Sequence, residues 1–168
     1  MTSPTADSQS PQARFAVISF ERHPETSSRV AQQVNEHFRA FGLQNLATVN
    51  VDDLTPELAG QLARVDYAIF IDSPRMGNRV RVKVRPLEAL GSEPAGSTTP
   101  GGGHSWDPSS LLALAHSAYG SHPQSWLVQV YLPKAEPLPA GTVDEALNQA
   151  IQAVEGLIGQ FSGKMLRA

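Results

Sequence analysis

The stretch LTPELAGQLARVDYAIFIDS, residues 54–73, decides the fold class of this chain. Thr55 followed by Pro56 is a typical helix start, because threonine caps the first turn and proline has no N–H that would need a partner. The apolar run YAIFID at 67–72 then predicts a buried strand that ends in a carboxylate. A short helix that leads into a buried strand is typical of an α/β sheet.

The same alternation of strands and helices continues on both sides of this stretch. Apolar runs predict further strands at FAVISF (15–20), LATVNV (46–51) and WLVQVY (126–131). Helix starts follow at Ser27 or Ser28, at Asp107-Pro108 and at Thr142. The sequence therefore predicts a three-layer α/β domain with helices on both faces of the sheet.

A fifth strand has a different character. The segment RVRVKVR at 79–85 alternates basic and aliphatic residues strictly. Such alternation predicts a half-buried strand with a solvated basic face, placed near an edge of the sheet or running antiparallel to its neighbours. We therefore expect a mixed five-stranded sheet.

Length and composition limit the possible classes of protein. The chain has 168 residues, no cysteine and a formal net charge of −3. We expect a disordered Ser/Thr/Pro-rich tail over 1–13 and a single domain over 14–168. The acidic balance argues against nucleic acid as a partner, and no apolar run is long enough to span a membrane. The first residues do not have the pattern of a signal peptide, so we expect a cytoplasmic protein.

Asp72 and His104 are the candidate site residues. Asp72 ends a predicted strand, and His104 follows a glycine-rich segment and precedes a predicted helix. Ligands of open α/β sheets bind outside the carboxyl ends of the strands, and a carboxylate with an imidazole there could share a divalent ion. A third ligand would come from Glu21, His23 or Glu25 after the first strand; alternatively, these three form an ordinary exposed polar loop.

Two runs carry a resemblance to a known family. They are residues 54–73, quoted above, and HSWDPSSLLALAHSAYGSHPQSWLVQV at 104–130, with a weaker match at RVAQQV, 29–34. The chain resembles the hydrogenase maturation endopeptidases, which trim the C-terminus of the nickel-iron hydrogenase large subunit. The resemblance covers most of residues 15–161.

The resemblance implies a fold, a partner and a set of site residues. The family has a phosphorylase/hydrolase-like α/β fold, and its substrate is the nickel-iron hydrogenase large-subunit precursor. Its metal-contacting residues are an acidic residue in the first loop, an aspartate after the third strand and a histidine before a later helix. The last two correspond to Asp72 and His104, and Glu25 is the nearest counterpart of the first. These residues would sense nickel in the substrate or bind another divalent ion, and no tightly bound cofactor is expected.

The first loop departs from the family pattern and leaves three hypotheses open. Ser19 and Phe20 stand where the family has Gly-Asn, and HPETSS at 23–28 replaces an acidic pair and glycines. The chain is then a maturation protease, or a catalytically degenerate relative that acts as a hydrogenase or metal-binding accessory. A receiver-like domain is the third hypothesis, since Asp72 follows strand three and Lys134 follows strand five; it lacks the acidic pair that receivers carry after strand one.

Overall fold

The computed structural model of the chain describes residues 13–21, 29–89 and 106–162. Strands and helices alternate through most of these ranges, as the apolar runs predict. The elements are β1 (Phe15–Phe20), α1 (Val30–Arg39), β2 (Leu46–Val51), α2 (Leu58–Leu62), β3 (Tyr67–Asp72), β4 (Arg81–Leu87), α3 (Pro108–Tyr119), β5 (Gln124–Tyr131) and α4 (Thr142–Ser162). Of the predicted N-terminal tail only Ala13 is described, and its carbonyl accepts a hydrogen bond from Asn45 at 2.6 Å.

The five strands form one mixed sheet in the order β2-β1-β3-β5-β4. β2, β1, β3 and β5 run parallel to one another, and β4 pairs antiparallel with β5. β3 is therefore the central strand, in keeping with its nearly continuous apolar sequence. The basic strand lies at an edge and is antiparallel, as its alternating pattern predicts, but it spans 81–87 instead of 79–85, and its valine face is only partly covered, with Val84 42% exposed.

Helices cover both faces of the sheet and bury two separate apolar clusters. α1 and α4 pack on one face, where Val34, Phe38 and Val154 are fully buried against β1, β3 and β5. α2 and α3 pack on the other face, where Leu62 and Leu111 lie against Phe70 and neighbouring residues. The three-layer α/β arrangement predicted from the sequence is confirmed. In the described part of the chain, none of the helices is both long and apolar enough to cross a membrane.

The start of α1 differs from the expectation of a serine cap. Arg29 is the residue before the helix, in the left-handed region at φ 62°, and its side chain makes no capping hydrogen bond. Ser27 and Ser28 precede it and lie outside the described residues. An acceptor for the first turn is the carboxyl of Glu21, directly after β1, which accepts a hydrogen bond from the backbone N–H of Gln32.

Candidate functional site

Three acidic residues lie at the carboxyl ends of three neighbouring parallel strands. Glu21 follows β1, Asp52 follows β2 and Asp72 is the last residue of β3. The strand that follows β1 in the chain, β2, lies on one side of the pair β1-β3. The strands that follow β3, which are β4 and β5, lie on the other side. The topological switch point, where open α/β sheets bind ligands, is therefore between β1 and β3. Glu21 and Asp72 flank it.

The predicted metal site is only partly within the described residues. Asp72 is half-buried and ends β3 at the expected edge of the sheet. His104, His23 and Glu25 lie outside the described ranges, so the meeting of Asp72 with His104 and Glu25 stays a prediction. Within residues 13–21, 29–89 and 106–162, no three histidine, cysteine or acidic side chains are grouped closely enough to hold a metal ion. The described carboxylates alone therefore do not make a metal centre.

Glu21 is the site residue that the sequence analysis undervalued. Burial raises the pKa of its carboxyl above the ordinary value, and the negative charges of Asp52 and Asp72 add to this rise. The positive charge of Arg29 and a hydrogen bond from the backbone N–H of Gln32 act in the opposite direction. Gln32 is in the first turn of α1, where backbone N–H groups have no partner within the helix. Glu21 thus stabilises the start of α1 and holds a carboxylate at the switch point.

The raised pKa of Glu21 gives a testable dependence of stability on pH. A carboxyl whose pKa is higher in the folded than in the unfolded chain contributes stability at low pH and loses it as pH rises through the folded pKa. Glu21→Gln keeps an acceptor for Gln32. We expect its free energy of unfolding at pH 7.5 to equal that of the wild type or to exceed it by less than about 1 kcal/mol. The difference is small because the half-exposed site is screened by water. At pH 4 the gain should vanish. Urea unfolding at both pH values measures the difference, and a variant less stable than the wild type at pH 7.5 would refute it.

A polar cleft of about 380 Å³ opens beside Glu21, between the ends of β1 and β2. Its floor is a network of hydrogen bonds centred on Asn50, whose side-chain oxygen accepts from Ser19 and from Asn35 and whose amide donates to Glu36 at 2.8 Å. The cleft is lined by Ser19, Glu21, Arg29, Gln32, Asn50, Val51 and Asp52. The network joins β1, β2 and α1, and two of its residues, Ser19 and Asn50, line the same cleft as Glu21.

Asn35 holds this network together and was missed by the sequence analysis. It is fully buried, and its amide donates to the carbonyls of Val17 at 3.1 Å and Val49 at 2.8 Å. The sequence feature that could have identified Asn35 is its position directly after Val34, on the apolar side of the predicted helix α1. A polar residue in that position needs specific partners, because burying an amide without hydrogen bonds is costly.

Divalent-ion binding tests whether Asp72 and His104 act together. We expect Asp72→Ala and His104→Ala each to weaken nickel or zinc binding by roughly tenfold or more, because losing a direct ligand should cost at least as much as losing a residue that supports one. Isothermal titration of the wild type and both variants measures this. Equal affinity in all three proteins would remove both residues from the list of ligands.

Comparisons with known proteins give structural neighbours but no sequence match. The sequence matches no protein-family model and no curated protein. The fold is similar to the NiFe hydrogenase maturation protease HycI from Thermococcus kodakarensis KOD1, with a TM-score of 0.57 and 14% identity over 89% of this chain and 94% of that one. It is also similar to the hydrogenase 2 maturation peptidase from Thaumarchaeota archaeon SCGC_AB-539-E09, with a TM-score of 0.58 and 18% identity over 87% and 98%.

An endopeptidase from Escherichia coli is a third neighbour, with a TM-score of 0.56 and 13% identity over 88% of this chain and 93% of that one. These alignments cover 87% to 89% of this chain and 93% to 98% of the three neighbours, so the likeness concerns the whole domain. At such low identities the comparison concerns the fold. This chain therefore has the fold of the hydrogenase maturation proteases, the family that its sequence resembles.

Proposed function

We propose that this protein is a hydrogenase maturation protease that trims the C-terminal extension of a nickel-iron hydrogenase large-subunit precursor. The observation that carries the proposal is the shared fold over 89% of the chain, together with a strand-end aspartate, Asp72, where the resemblance expects one. In this proposal Asp72 and His104 contact the nickel that the precursor already holds, with Glu25 as a third contact. Glu21 adds negative charge beside Asp72 and so favours a cation at the switch point.

A second candidate is a relative that binds the precursor or a metal without cutting. The observation that favours it concerns Ser19 and Phe20, which stand where the family has Gly-Asn. Both side chains are only 1% exposed. Ser19 donates to Asn50, and the ring of Phe20 lies edge-on to Phe70 with centroids 6.5 Å apart. These positions serve packing and the polar network here, whereas glycine would allow a substrate to approach the backbone closely.

One experiment separates the two candidates. The purified protein is mixed with the nickel-loaded large-subunit precursor of its own organism, and complex formation and truncation are followed together by size-exclusion chromatography and gel electrophoresis. A shortened large subunit supports the protease, and a stable complex with an intact precursor supports the accessory. If neither a complex nor a shortened large subunit is found, both candidate functions are refuted.

Restoring the family loop sharpens this test. A variant in which a longer loop with Gly-Asn and Asp-Asp-Gly replaces the segment between Ser19 and Arg29 should cleave faster than the natural chain if the natural loop has lost function. If the natural chain already cleaves at the rate of the grafted one, the accessory hypothesis fails.

A further inference from the structure

β4 presents an outer edge whose backbone groups face away from the sheet. In and directly after β5, the backbone N–H groups of the even-numbered residues Gln124 and Leu132 point toward β3. They donate to the backbone carbonyls of Asp66 and Pro74. Backbone groups alternate sides along a strand, so the odd-numbered residues of β5 bond to β4. The β4 residues in register with them are also odd-numbered, such as Lys83 opposite Gln129, so the odd-numbered residues of β4 bond to β5. The N–H and C=O groups of Val82 and Val84 therefore point outward, and Pro86, which has no N–H, stands where β5 needs none.

A basic row accompanies this outer edge. Arg81, Lys83 and Arg85 alternate with the valines and are exposed. The ion pairs His37–Glu155, Arg39–Glu36 and Arg75–Glu136 lie elsewhere in the described part of the chain, and none of these three involves the basic row. Three such cations on one strand stand out in a chain of net charge −3. We call the basic row together with the outward backbone groups of Val82 and Val84 the basic edge.

The basic edge connects to the candidate site across one face of the sheet. Lys83 is in register with Gln129, and Gln129 is in register with Asp72. Residues in register on neighbouring strands point to the same face, so these three side chains form a row. The hydroxyl of Tyr131 donates to Gln129 at 3.0 Å, and the guanidinium of Arg81 lies 6.0 Å from the centre of the Tyr131 ring. A polar strip thus runs from Asp72 to the edge of the sheet.

The distances suit an extended peptide. Neighbouring strands are about 4.8 Å apart, so a chain added outside β4 would lie about 14 Å from β3. An extended residue spans about 3.3 Å, and about five residues would bridge that gap. A peptide paired with β4 therefore needs only about five further residues to reach the position of Asp72.

We infer that the basic edge binds an acidic, extended segment of the protein substrate, which adds to the sheet as a sixth strand and leads the scissile region toward Asp72. This inference rests on the function proposed above. Backbone hydrogen bonds to Val82 and Val84 supply pairing, and the basic row selects carboxylates. The same row disfavours a second copy of this chain as the occupant, since like charges on two edges repel.

Two variants test the two parts of the inference. Arg81→Gln/Lys83→Gln/Arg85→Gln removes the charges, and its matched control, Arg14→Gln/Arg39→Gln/Arg64→Gln, removes three exposed charges elsewhere. Val84→Pro removes one outward N–H, and Val84→Thr keeps it. Proline at position 84 should be tolerated, because Pro86 already occurs two residues later in β4 and its backbone nitrogen also faces away from β5. Denaturation midpoints of all four proteins, compared with the wild type, verify folding.

Binding to the intact precursor is measured at 50 mM and 500 mM salt. We expect the basic-row variant to bind about tenfold more weakly at low salt, with the difference lost at high salt, and Val84→Pro to bind about fivefold more weakly at both. Both control variants should bind like the wild type. Wild-type affinity in either test variant overturns this inference while leaving the proposed function standing. Failure of the wild type itself to bind overturns both.

Discussion

Replacing Asp72 with asparagine is expected to slow cleavage of the precursor at least about hundredfold, since direct contacts to a metal should contribute more than the residues that support them. The substitution keeps the size of the side chain and its ability to accept hydrogen bonds, so β3 should stay intact. What it removes is the negative charge at the end of the central strand, beside the switch point. Initial rates at saturating precursor measure the effect.

The matched control for this prediction lies at the other end of the same strand. Asp66 precedes β3 and accepts a hydrogen bond from the backbone N–H of Arg14 at 2.9 Å, which asparagine can also accept. Asp66→Asn makes the same chemical change far from the switch point and should leave the rate within about twofold of the wild type. Equal losses in the two variants would mean that Asp72 acts on the stability of β3 and not on the reaction.

Asn35→Asp should be among the most destabilising single substitutions in the described part of the chain. The amide of Asn35 donates to the carbonyls of Val17 and Val49 and to the side-chain oxygen of Asn50. A carboxylate in its place would put a buried negative charge against three oxygen atoms. We expect the free energy of unfolding to fall by at least about 3 kcal/mol at pH 7, measured by urea denaturation.

The loss at Asn35 should also depend on pH. Burial and the facing oxygens raise the pKa of the introduced carboxyl in the folded chain, and its protonated form can still donate one hydrogen bond. The destabilisation should therefore be smaller at pH 4 and grow as pH rises through the folded pKa. Asn148→Asp, on an exposed position of α4, controls for the added charge. A loss at Asn35 that is equally large at both pH values would contradict this account.

The fold could be predicted from the sequence because its strands have distinct patterns. The apolar run of β3 required burial on both faces, and that strand is central. The strict alternation in β4 required one solvated face, and that strand is an antiparallel edge. Asp107 begins α3 as expected, because its side chain accepts from the backbone N–H of Ser110 at 2.8 Å, and the helix ends at Gly120, which is left-handed at φ 87°.

The candidate site was less predictable because its contacts join residues far apart in the chain. Asp72 could be placed from its position at a strand end alone. The role of Glu21 depends on α1 returning over β1, which brings the N–H of Gln32 to its carboxylate. Asn35 and Asn50 likewise meet only because β1 and β2 are neighbours. Local patterns carry no information about such pairs, so a sequence analysis treats these residues as ordinary polar positions.

The intact mass of the large-subunit precursor after incubation with this protein tests the central claim most directly. Precursors with and without nickel are each incubated with the wild type and with Asp72→Asn, and then analysed by mass spectrometry. We predict one cut, with a mass loss equal to the C-terminal extension, in the nickel-loaded precursor treated with wild-type protein. We predict little or no loss with Asp72→Asn or without nickel. An unchanged mass for the nickel-loaded precursor with the wild type, or equal cleavage of both precursors, would contradict the account.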